Sequence, residues 1–199
     1  MTRWAPDAAL RLEAAALDLV EEQGYAATTV PQITARAELT TRTFFRHFAD
    51  KRDVFFLRDR EFPRVIAEAL EGVAAQGDGL GGVSAGADAL DVVRQGLARA
   101  VSPLEGWREP ILRRRAIIRA EDQLRERELL KSAHLADAIT DGLVLRSVAP
   151  ERARLVASIA VLVFDRALDA WLDAPPTRPL AGFLEDSWVE LEALLAPQG

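Results

Sequence analysis

A chain of 199 residues, 49% of them hydrophobic and 28% charged, carries enough apolar mass for one large core or two small ones, which excludes disorder as its dominant state. It has no cysteine, so disulfides, thiolate metal sites and cysteine nucleophiles are excluded, as suits a reducing cytoplasm. The net charge of -6 argues against indiscriminate nucleic-acid binding, yet residues 36–60 hold seven Lys or Arg against four Asp or Glu. Asp7, Glu13, Asp18, Glu21 and Glu22 interrupt what would have to be the apolar core of a signal peptide, so none is expected. The most apolar run, Leu155 to Phe164, is closed by Arg154 and Asp165 and falls short of the roughly 20 residues that span a membrane. A cytoplasmic chain with no membrane partner is the expectation.

Asp7 to Gln23 places Leu10, Ala14, Leu17 and Val20 at helical spacing and ends at Gly24, which suits a left-handed cap. Thr29 is placed to cap a short second helix with Pro31 in its first turn and Ile33 and Ala37 facing inward. Thr40 is placed to cap a third, which runs to about Phe48. Asp50 would cap a fourth that begins at Lys51, carries Val54, Phe55 and Leu57, and is kinked or split by Pro63. The clearest linker runs from Gly77 to Gly86; its Gly77, Gly79 and Gly82 match a dinucleotide fingerprint only formally, because that motif must follow a strand. Further helices are expected over 87–101, 107–119, 121–147 and 150–173. Pro175, Pro176 and Pro179 then precede a last helix with the stripe Leu180, Leu184, Trp188, Leu191 and Leu195. No stretch alternates as a strand does, so the fold class is all-α, with about nine helices.

The second and third helices are each about two turns long, too short to persist alone, and the joint Ala37-Glu38-Leu39 links them. Packed on the first helix they form a helix-turn-helix, whose second member fits a major groove about 12 Å wide. On that member Phe44 and Phe48, four apart, anchor the inward side and leave Thr41, Arg42, Phe45 and Arg46 outward. A phenylalanine facing out makes sense against a sugar-phosphate edge or a thymine methyl. The plainer alternative is a solvated basic face on a short core helix.

Gly24-Tyr25, Thr28-Thr29-Val30, Ile33, Ala35, Ala37, Leu39-Thr40, Thr43-Phe44-Phe45, His47-Phe48 and Lys51 stand in an ungapped order over about residues 8–56. That stretch resembles the N-terminal DNA-binding domain of the tetracycline-repressor (TetR/AcrR) family of bacterial transcriptional regulators. The rest of the chain agrees with the family in length and helical character alone. The resemblance implies that Thr29 holds a phosphate at the second helix's start and that Thr41 and Arg42 read bases, Arg42 gripping the O6 and N7 of a guanine. It implies too that Thr40, Thr43, Phe45, Arg46, His47 and Lys51 contact or border the DNA backbone. Two positions depart from the family. Glu38 stands where it usually has glycine, so a positive φ there would cost roughly 1 kcal/mol unless the turn is built differently. Phe45 replaces a common tyrosine and drops one phosphate hydrogen bond, worth about 1 kcal/mol.

Within the helix over 150–173 the run Leu155 to Phe164 is apolar all round, which a peripheral helix should not be. One face packed on its own core and the other on a second subunit explains the pattern; a central helix in a monomer is the alternative. The family resemblance implies the same homodimer, made by its last two helices. Val163, Phe164, Trp171, Phe183, Leu184, Trp188 and Leu191 are the expected interface residues.

For a ligand, Phe62, Ile66, Leu70, Trp107, Leu112, Ile117, Ile118 and Leu130, with Leu124, supply apolar surface for a cavity between the fourth and seventh helices, although each alone is as well explained as core. The run Arg113-Arg114-Arg115 with Arg119 suits an anionic headgroup, but a solvated face paired to Glu109 and Glu121 is the better reading of it. His134, Asp137 and Asp141 share a helix face and make a hard-cation or hydrolytic site geometrically possible, but no second helix offers a matching pair. The expectation is therefore no enzyme, no catalytic residue, no metal and no cofactor. Residues 1–52 are expected to form the DNA-binding domain and 53–199 the ligand-binding and dimerisation domain. The whole reads as a repressor that leaves a palindromic duplex operator when a small, largely apolar effector binds. A helical-bundle enzyme, or an interaction module that has lost DNA binding, is the competing reading.

Overall fold

The computed structural model describes residues 6–57, 62–74 and 87–196, so the glycine-rich linker expected from Gly77 to Gly86 lies outside the described residues. Among the described residues there are nine α-helices and no strand: α1 Pro6–Gln23, α2 Val30–Arg36, α3 Thr41–His47, α4 Phe62–Ala74, α5 Ala87–Ala100, α6 Arg108–Ala120, α7 Asp122–Val144, α8 Pro150–Asp173 and α9 Leu180–Leu195. No helix is long and apolar enough to cross a membrane, among the described residues. One expectation fails locally. The fourth helix does not start at Lys51: Arg52–Phe56 is a single tight 3-10 turn and α4 runs from Phe62 with Pro63 in its first turn, so of the kink or split expected at Pro63 the described residues fit the split. A proline there costs no intrahelical hydrogen bond, which is why it starts the helix instead of bending it.

The chain divides into two compact units. The first comprises residues 1–61 and 109–129, so most of α6 and the first turns of α7 belong with the N-terminal helices. Its core is built on Leu12, Ala16 and Leu17 of α1, which bury Ile33 of α2, Phe44 of α3, and Phe48, Val54 and Phe55; Ile117, Ile118 and Leu124 complete it. Two seven-residue helices survive here because each sets a fully buried side chain in this core, Ile33 from α2 and Phe44 from α3.

The second unit comprises residues 62–108 and 130–199. Among its close approaches is the one around Leu70 on α4. A Cβ added at Gly96 of α5 would lie 2.6 Å from one Leu70 methyl, and one added at Gly142 of α7 would lie 3.0 Å from the other. Only glycine lets these backbones close on that side chain. Phe62 stacks on Phe164 of α8 with ring centroids 5.0 Å apart, and the C-terminal carbonyls of α8 are capped from Arg108, which donates to Trp171 O at 3.2 Å and Leu172 O at 3.0 Å. The packing division differs from the cut between residues 52 and 53 expected from the sequence, which concerns function and is taken up below.

Candidate DNA-binding surface

The helix-turn-helix is assembled by local hydrogen bonds that the sequence encodes. Thr29 caps α2 in an extended conformation: its hydroxyl accepts from the Gln32 amide at 3.4 Å, and the Gln32 side-chain oxygen accepts from the Thr29 amide at 2.8 Å. Thr40 does the same for α3, accepting the Thr43 amide at 3.1 Å, while the two threonine hydroxyls share a hydrogen bond of 2.9 Å. These caps fix where each helix starts, and the start fixes which side chains face out. On α3 Phe44 is fully buried, and the face that carries Thr41, Arg42, Phe45 and Arg46 is exposed.

Phe45 is 57% exposed, an uncommon place for so large an apolar side chain, and its ring meets buried Phe44 edge-on at 5.4 Å. Arg42 has no hydrogen-bond or ion-pair partner among the described residues, where Arg36, Arg113 and Arg178 are each paired to carboxylates. The Arg46 guanidinium lies 3.4 Å from the His47 imidazole; burial, helped by that charge, lowers the His47 pKa.

The joint is where the sequence left a question. Glu38 does adopt a left-handed backbone, with φ 53°, and the turn closes through Leu39 N–H to Thr34 O at 2.8 Å. The strain is offset from α1: Arg11 donates to the Ala37 carbonyl at 2.5 Å and reaches the Glu38 carboxylate at 3.4 Å. Sequence reasoning missed Arg11, because a partner 26 residues away leaves no local signal. The Thr29-x-x-Gln32 capping box was legible in principle, since that spacing is itself the signature.

Lys51 differs from its neighbours. Its ammonium donates to Tyr25 O and Thr28 O, both at 2.8 Å, and sits 3.9 Å from the centre of the Tyr25 ring. It thus ties the end of the helix-turn-helix to the turn between α1 and α2. Burial pushes its pKa down, and the Glu121 charge opposes that. Gly24, at φ 82°, starts the same turn.

From the other side α6 and α7 hold the unit by charge. Arg113 pairs with Asp18 at 2.6 Å and Glu21 at 2.7 Å, Arg114 with Glu128 at 3.5 Å, and Arg127 with the fully buried Asp53. Asp53 also accepts the Ala49 amide at 2.8 Å. Hydrogen bonds to Glu21 and then Asp18 raise the pKa of Arg113 further above its already high value. In this unit Arg113 and Arg114 are therefore structural pairs and not a free anion site.

The residues expected to line one ligand cavity fall into both units. Ile117 and Ile118 are core of the first, with Leu112 39% exposed on the same helix. Phe62, Ile66 and Leu70 are buried in the second, where Trp107 is half-buried and Leu130 exposed. Of the residues expected at a subunit interface, Val163, Phe164, Trp171, Leu184 and Trp188 are buried within the single chain, and Phe183 and Leu191 are half-buried. The apolar side chains that α8 and α9 do expose are Leu155, Leu162, Val189, Leu194 and Leu195. His134, Asp137 and Asp141 lie on the exposed side of α7, and no three His, Asp or Glu side chains converge as a metal site among the described residues.

Residues 12–56 match the family model of bacterial regulatory proteins of the tetR family. Over 56 residues, 28% of this chain, the sequence is 45% identical to the HTH-type transcriptional regulator TcmR of Streptomyces glaucescens, and the match spans 25% of that protein's length. Two solved structures share the fold over nearly the whole chain. FadR of Thermus thermophilus, a TetR-family transcriptional repressor in complex with lauroyl-CoA, is 20% identical with a TM-score of 0.56, over 96% of this chain and 97% of that one. FadR of Bacillus subtilis in complex with stearoyl-CoA is 16% identical with a TM-score of 0.55, over 96% and 99%.

Proposed function

We propose that this chain, whose residues 12–56 are a TetR-family regulatory domain, is a cytoplasmic transcriptional repressor that binds a palindromic operator as a homodimer and leaves it when a small, largely apolar ligand binds the second unit. The outward face of α3 carries the reading: a capped helix that presents an unpaired guanidinium at Arg42 beside exposed Thr41 and Phe45. Arg42 suits the two acceptors of a guanine edge, and Phe45 a thymine methyl or a sugar. Thr40, Thr43, Arg46 and His47 flank them for backbone contacts, with Thr29 at the start of α2. Lys51 acts in part indirectly, by holding the α1–α2 turn in place. The regulatory division then follows the expected cut, with 1–52 reading DNA and 53–199 sensing and pairing, while residues 109–129 brace the reading part.

A dimer contact across α8 and α9 would use the exposed Leu155, Leu162 and Val189, with Phe183 and Leu191 at the edge, because the other expected residues are already consumed in the chain's own core. Acyl thioesters are the first ligands to try, since the two FadR structures of the same fold hold them. Selection of bound duplexes from a random pool tests the reading. Enrichment of one two-fold symmetric site is expected, with release of that site by lauroyl-CoA or stearoyl-CoA. A pool that stays random after repeated rounds overturns the DNA-binding reading, and an operator complex indifferent to apolar ligands leaves it without that effector.

A further inference from the structure

In the first unit the last turn of α1 and the helix α6 do not close on one another. Ala116 and Ala120, on successive turns of α6, are too short to fill the space opposite Val20 and Gly24, and a groove of about 270 Å³ remains, with Tyr25 and Ile117 in its lining. Drug-sized ligands occupy roughly 300–1,000 Å³, so a single ring or short chain suits this one. Arg113 marks one end and Glu121 the other, eight positions on, or roughly 12 Å at the helical rise.

The two ends differ in what they have left to give. Arg113 is saturated by Asp18 and Glu21, with Glu109 4.0 Å away. Glu121 is half-buried, and its carboxylate has no hydrogen-bond or ion-pair partner among the described residues. A half-buried carboxylate that no cation touches, the Lys51 charge acting on it only from beyond ion-pair distance, gains from a cation bound against it. Asp18 and Glu21 together more than neutralise Arg113 at one end, and Glu121 at the other faces the Lys51 charge only from beyond ion-pair distance, so the groove favours a cation over an anion.

We propose that this groove binds a small organic cation, with a protonated amine at Glu121 and a compact apolar body against Ala116, Ala120 and the edges of Val20 and Ile117. Nothing in this claim depends on the chain binding DNA. A second consequence does rest on that reading. Tyr25 lines the groove and also holds Lys51 through its carbonyl and ring, so a ligand that shifts Tyr25 changes the seat of Lys51, and operator affinity and ligand affinity become linked by one factor.

Titration calorimetry on the full chain, without DNA, tests the site with three probes of one shape: phenethylammonium, 3-phenylpropionate and 2-phenylethanol. Saturable binding of the ammonium to one site per chain is expected, with the anion silent. Glu121→Gln should weaken it about tenfold or more, the scale of one charge-assisted hydrogen bond. Ala120→Leu, which fills the groove from an exposed position, should abolish it, and Ala116→Leu provides the same test if the first variant has a lowered melting temperature. Equal binding of the three probes, no saturable heat with the ammonium, or undiminished affinity in Glu121→Gln overturns the site. Gel shifts with the same ammonium separate the two claims: calorimetric binding with an unchanged operator complex removes the linkage and keeps the site, whereas failure to select any operator leaves the calorimetry untouched.

Discussion

The short helix α3 and the long helix α8 pose the same question, namely which side chains face out, and the chain answers it by different physics in each. Over seven residues α3 has a capped start and two phenylalanines four apart, so its phase is set locally, and the side expected to face out does so. Within the 24 residues of α8 the run Leu155 to Phe164 is apolar on every side but for Ser158, and the expected outward residues Val163, Phe164 and, further on, Trp171 are buried, while Leu155 and Leu162 are out. A helix with one polar face declares its own orientation. One without it takes its orientation from whatever packs first against it, which no periodicity within the helix can announce.

Adjacent residues on α3 sharpen the comparison most. Phe44→Ala should lower the unfolding free energy by about 3 to 5 kcal/mol, the range for a fully buried phenylalanine, and Phe45→Ala by less than about 0.5 kcal/mol. Denaturant titration reads both, and equal losses would mean that the face of α3 is wrongly assigned. Neighbours on α8 give the matching pair. Val163→Glu places a charge in the core and should leave little folded protein, whereas Leu162→Glu should keep the melting temperature and turn a dimer into a monomer by light scattering. A Leu162→Glu dimer would place the contact elsewhere.

Next in size is the contrast between a residue proposed to read bases and one that braces a turn. Arg42→Ala should cost about 1 to 3 kcal/mol on the selected operator, relax preference at one base pair and leave stability alone. Lys51→Ala should weaken all sequences and also lower the melting temperature, because two carbonyls and the Tyr25 ring lose their cation. An Lys51→Ala protein as stable as the parent, with a salt slope reduced by about one unit, would instead make Lys51 a plain phosphate contact. The smallest effect belongs to the joint. Glu38→Gly relieves a left-handed glutamate and should stabilise by about 1 kcal/mol, less the little that the exposed pair with Arg11 contributes. A loss of stability on that substitution would show that Arg11 does more for the turn than its carbonyl hydrogen bond.

By itself the sequence determined the all-helical class, the starts of α2 and α3, the limits of α8 and the inward side of α3. These rest on interactions that span four residues or fewer: the hydroxyl of Thr29 or Thr40 on an amide three positions on, and the repeat of Phe44 and Phe48. The same locality misled at Lys51, where helix-forming residues close into one 3-10 turn whose buried Asp53 answers to Arg127, 74 positions away. Tertiary structure alone decided that α6 completes the first unit through Ile117, Ile118 and Arg113, and that Leu70 wedges between Gly96 and Gly142 rather than lining open space. It also decided which side of α8 is core. Such choices are made by contacts between residues tens of positions apart, whose chemistry is ordinary at each end and becomes specific only when the chain has brought the ends together.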